Sequence, residues 1–111
     1  MKKIFFSLFL LFLIFFNLLN IIDKVTTYIA MSQGGFIELN QRAVYFFNLY
    51  GLLPAIIVQL AVVIAGSTLL YFGINKLSEK VKYIHLYASI PFVFLIVTYS
   101  EAVINNIRWL I

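Results

Sequence analysis

Residues 4–22 read IFFSLFLLFLIFFNLLNII, directly behind Lys2-Lys3, with no ionisable side chain among them. A bilayer core about 30 Å thick takes about 20 helical residues per crossing, so this stretch decides that the chain enters a membrane. A secretory signal also pairs lysines with an apolar core, but this core is longer than usual and no small-x-small cleavage pattern ends it. The stretch is read as a retained transmembrane helix over about residues 4–32, running through Asp23 to Ser32 and stopped by Gly34-Gly35.

The remainder has the same character. Of 111 residues, 64% are hydrophobic and 11% charged, against about 25% charged in an average soluble domain, and the mean hydropathy is +1.05. There is room for three or four crossings and for no independent soluble domain. A second crossing covers about residues 54–75, with Pro54 in the first turn, where its missing N–H costs nothing. The third covers about 83–108 and holds Pro91, which should kink it, with Trp109 marking the far interface. Residues 36–51 mix Glu38, Asn40, Gln41, Arg42 and Asn48 with aromatics. They suit a short interfacial helix over about 43–50, or an irregular loop on the helix ends, and do not suit a crossing. The expected fold is all-α: one domain over residues 1–111, an integral membrane bundle of three transmembrane helices with a short interfacial segment between the first and second.

Charge sets the expected orientation. Basic residues accumulate on the cytoplasmic side, so Lys2-Lys3 and the basic loop 76–82 (KLSEKVK) should share it. Three crossings satisfy this, giving a multi-pass protein of the cell membrane with a cytoplasmic N-terminus and an outside C-terminus. The formal charge of +4 is thinly spread, and topology accounts for it without nucleic acid. The chain has no cysteine, which excludes disulfides, thiolate metal sites and thiol nucleophiles.

Polar residues inside such a chain are costly, so their positions are the functional signal. On the first helix Asn20, Asp23 and Thr27 follow i, i+3, i+7, one helical face. On the third, Thr98, Glu101, Asn105 and Arg108 do the same, with Asn106 beside them. Gln59 on the second helix lies at a similar depth and shares its stripe with Ala55, Gly66 and Gly73, small residues that let backbones pack closely. The expected site is a polar cluster of Asn20, Asp23, Thr27, Glu38, Asn40, Gln59, Glu101, Asn105 and Asn106 in the outward half of the bundle, roofed by the loop from Gly34 to Arg42. Two carboxylates there, Asp23 and Glu101, would need a shared proton, a cation, or Lys24, Arg42 or Arg108 as counter-charge. The plainer reading leaves both at the interface, solvated or salt-bridged, holding helix ends in register.

Other candidates carry less. His85 is the one histidine, too few for a metal or haem site and on the wrong side for a Ser-His-Asp set with the outer carboxylates. No nucleotide-binding signature exists; no metal and no cofactor is expected. Phe5, Phe6, Phe9, Phe12, Phe15 and Phe16 surround the first helix evenly, which predicts contact with lipid or other subunits around most of it rather than one packed seam.

The segment 20–40, NIIDKVTTYIAMSQGGFIELN, resembles an uncharacterised family of small prokaryotic three-helix membrane proteins. Its pattern has an Asp and a Thr on the first helix, a Gly, a Glu-x-Asn-Pro loop, and asparagines near the end of the last helix. The matching positions here are Asp23, Thr27, Gly35, Glu38, Asn40, Asn105 and Asn106, while Gln41 stands where the pattern has proline. The resemblance implies that these residues form one site and brings no activity with it.

Three functions follow from these features. The first is a non-enzymatic structural or accessory subunit, with lipid and other membrane subunits, or further copies of itself, as partners. The second is proton or cation binding and translocation through the polar cluster. The third is a membrane-embedded metal-dependent enzyme using Asp23 with Glu38 or Glu101 as paired carboxylates.

Overall fold

The structure is a computed structural model describing residues 2–32, 48 and 51–110, among which there are helices and no strand. Helix α1 spans Lys2–Ser32, α2 spans Leu52–Leu77 and α3 spans Ile84–Leu110. All three are long and apolar enough to cross a membrane, as a multi-pass membrane protein requires. The expected interfacial segment, about 36–51, lies outside the described residues except at 48 and 51.

Helix α1 is the centre of the fold. It packs chiefly on α3, less on α2, and α2 and α3 touch least. The extents of 50 × 27 × 17 Å are those of a slab with α1 in the middle. The residues that α1 buries are Phe9, Leu13, Phe16, Asn20, Asp23, Thr27 and Ala30, in alternating steps of four and three, with Lys24 beside Asp23. That is a heptad seam with a 3.5-residue period, the spacing of left-handed knobs-into-holes packing. Helix α3 answers with Ser89, Phe92, Val103 and Asn106, all buried, and with Tyr99, which packs against the same core.

The two seams run parallel in a fixed register. Phe9 stacks edge-on to Phe92 at 6.0 Å, Phe16 to Tyr99 at 5.1 Å, and Asp23 meets Asn106, each pair 83 residues apart. The same offset sets Leu13 level with Ile96, and Asn20 level with Val103. The even spread of phenylalanines on α1 was expected to preclude a single seam; instead Phe9 and Phe16 are buried while Phe15 is exposed. Aromatic rings on every side leave hydropathy featureless there, and it is the facing aromatics of α3 that select two of them.

Helix α2 leans on the edge of α1. Ala55 and Ile56 pack near Met31 at one end, and Ile74 joins the Phe9 cluster at the other. Gly51 opens the helix at φ 88°, a left-handed conformation that suits glycine, and its carbonyl accepts the Ala55 N–H at 3.3 Å. Ala55 is buried, but Gly66 and Gly73 are exposed and a Cβ at either would meet nothing within 4 Å. Among the described residues nothing approaches these two glycines closely. Helix α3 runs through Pro91 without ending, losing one intrahelical hydrogen bond there. At the α2–α3 turn, Asn75 Oδ1 lies 2.8 Å from His85 Nε2 and ties the two helix ends together.

Candidate functional site

The apolar half of the α1–α3 seam gives way to a polar half. Asn20, Asp23 and Thr27 all point from α1 into the seam and are buried there. The group they receive is the Asn106 side chain from α3, whose amide nitrogen lies 3.0 Å from Asp23 Oδ1, 3.1 Å from the Asp23 carbonyl, and 2.9 Å from both Thr26 Oγ1 and Thr27 Oγ1. Two N–H bonds are thus shared among four acceptors. Thr26 spends its own hydroxyl hydrogen on the preceding turn, towards the carbonyls of Ile22 and Asp23, which leaves its oxygen free to accept.

The remaining carboxylate oxygen is also taken. Lys24 Nζ lies 2.9 Å from Asp23 Oδ2, with both side chains mostly buried, and the same ammonium sits over the Tyr99 ring at 5.4 Å from its centroid. Charge is balanced inside the cluster by a neighbour in sequence, and the aromatic face of α3 helps hold the cation. The two cavities flanking α1 are lined by other residues.

One group in the seam is unmatched. Asn20 is 0% exposed, and neither its amide nitrogen nor its oxygen has a hydrogen-bond partner among the described residues. Its level on α3 is held by Val103, whose side chain has no polar atom to offer. One turn earlier, Asn17 donates to the Leu13 carbonyl at 2.8 Å while its Oδ1 is buried without a partner. An orphaned buried amide costs about 1–3 kcal/mol.

Of the expected site residues, the structure joins Asp23, Thr27 and Asn106 by direct bonds and places Asn20 in the same seam. Gln59 is half-buried on α2, and Asn105 is half-buried on α3 without a bond to the cluster. Glu38 and Asn40 lie outside the described residues. The expected meeting of Asp23 with Glu101 does not occur: Thr98, Glu101 and Arg108 are exposed. Their stripe is rotated off the seam because Phe92, Tyr99, Val103 and Asn106 bury the other face of α3. In the sequence Lys24 is one possible counter-charge among three, and nothing there marks Thr26 or Tyr99 as part of the cluster. Continuing the 9-13-16 spacing to 20, 23 and 27 was the signal that would have found the seam.

Among the described residues no three of His, Asp and Glu gather as a metal ion would need. The model of one family matches residues 14–111, which is nearly the whole chain and includes every residue of the cluster. The chain belongs to this family, described as a domain of unknown function (DUF5658). No curated protein and no solved structure matches it. Family membership thus assigns no chemistry.

Proposed function

We propose that the chain is a non-enzymatic subunit of a larger membrane assembly. Its Asp23–Lys24–Asn106 cluster locks α1 to α3, and its outer α3 face docks a partner. The observation that carries this is Glu101. It is exposed on α3, about 10 Å inside the end of the span at Arg108, and has no bond or ion pair among the described residues. A carboxylate facing hydrocarbon is expensive, and such groups almost always face protein or a water-filled cavity. Thr98 and Arg108, on the same stripe, are exposed as well. Gly66 and Gly73 support the same reading, because each gives up helix stability for space that the described residues leave empty.

Translocation of protons or cations through Asp23, Gln59 and Glu101 is the competing reading. The closed set of bonds on Asp23 and the outward placement of Glu101 favour a lock over a path. The motif of Asp23, Thr27, Gly35, Glu38 and Asn40, the prokaryotic source, the cell membrane as location and a cytoplasmic N-terminus belong to this proposal.

Native mass measurement in mild detergent tests it. The expected result is an assembly, with a co-purifying protein or further copies of the chain, that Glu101→Leu or Gly66→Leu weakens while leaving the fold intact. A stable wild-type monomer with nothing bound would end the reading, and a flux in liposomes abolished by Asp23→Asn would favour its competitor.

A further inference from the structure

The chain's formal charge of +4 is confined to one end of the bundle. Lys2 and Lys3 open α1, and Lys76, Lys80 and Lys82 sit at the α2–α3 turn with Glu79 as the one acid beside them; elsewhere Lys24, Arg42 and Arg108 are matched in number by Asp23, Glu38 and Glu101. These two basic groups share an end because Phe5 packs edge-on to Tyr83 at 5.6 Å and Phe6 to His85 at 5.3 Å. The one ion pair among the described residues is the distant Asp23–Lys24 pair, so Lys3, Lys76, Lys80 and Lys82 are not neutralised by any of them.

Between α1 and the turn lies a cavity of about 220 Å³ lined by Lys3, Phe5, Phe6, Ser78, Tyr83 and His85, among others. Half of its lining residues carry rings, and its charge is a lysine. Lys82 Nζ rests 5.0 Å from the Tyr83 ring centroid, which holds a second cation beside that lining residue. Tyr83 itself sits at φ 66°, a left-handed conformation that a bulky side chain rarely adopts, at the point where the chain turns into α3. Ser78 is no donor here, since its hydroxyl hydrogen goes to the Asn75 carbonyl.

We infer that this cavity binds the head group of an acidic phospholipid. The phosphodiester lies against the Lys3 ammonium with Lys82 beside it, and the acyl chains leave along Phe5 and Phe6. A lipid rather than a soluble phosphate is the occupant because the cavity lies where the spans beginning at Lys3 and Ile84 both start, level with the head groups, and its walls are apolar. Basic pockets between transmembrane helices recognise anionic head groups on this physical ground.

The probe is dioctanoyl phosphatidylglycerol, titrated into the full chain in neutral detergent and followed as lipid adducts by native mass spectrometry. Saturable binding of one lipid per chain is expected. Lys3→Gln should weaken it about five-fold and Lys3→Arg should restore it, whereas Lys80→Gln, which removes the same charge from the same end outside the cavity lining, should change it less than about two-fold. Equal losses in Lys3→Gln and Lys80→Gln would reduce the site to a diffuse field and overturn the assignment. Dioctanoyl phosphatidylcholine binding as tightly would do so too, as would inorganic phosphate competing on a par with the lipid.

Discussion

At single positions, the seam contrasts a satisfied buried ion with an unsatisfied buried amide. Lys24→Met leaves the Asp23 carboxylate half-matched in a buried site and should cost about 3–5 kcal/mol. The double replacement Asp23→Leu with Lys24→Met should recover much of that loss, because removing both charges removes the desolvation each one carries. Equilibrium unfolding in detergent checks the cycle; a double variant as unstable as the single one would show that the pair is not coupled. Asn20→Leu should act in the opposite direction, stabilising by about 1–3 kcal/mol, since the amide it removes has no partner among the described residues. Marked destabilisation in the same assay would mean that a partner subunit supplies what Asn20 lacks.

For whole helices, how much was legible in the sequence depended on the kind of pattern. Three crossings were readable because length and hydropathy are local properties, and α1, α2 and α3 announce themselves in stretches of about 20 residues. The face α1 presents was half-readable. Asn20, Asp23 and Thr27 stand out against aliphatic neighbours, whereas Phe9 and Phe16 do not stand out against Phe12 and Phe15. On α3 the polar stripe misled. Thr98, Glu101, Asn105 and Arg108 have helical spacing, but burial follows the aromatics that fit between the Phe9 and Phe16 rings, and that fit is a property of two helices together. The partner of Asp23 was hidden for the same reason, because nothing local distinguishes Asn106 from Asn105; only the 83-residue register does.

For the molecule as a whole, a three-helix slab with all its net charge at one end has a defined way to lie in a bilayer. The lysine-rich end should face the cytoplasm. Since the chain has no cysteine, single introduced thiols report this directly. Glu79→Cys should react with a membrane-impermeant maleimide only after cells are opened, whereas Ile111→Cys should react in intact cells. The reverse pattern would invert the orientation, and equal labelling of both in intact cells would contradict the crossing by α3 that lies between them.

The parallel pairing of the first helix with the last also sets an order of events during synthesis. When α1 enters the bilayer, Asn106 has not been made, and at about 5–20 residues per second the ribosome takes several seconds to supply it. Through that interval the Asp23 carboxylate has one contact that needs no later sequence, the ammonium of the very next residue. A lysine adjacent to the aspartate thus acts as a built-in escort, keeping that level of the nascent helix electrically neutral until the third helix arrives and the second oxygen is claimed.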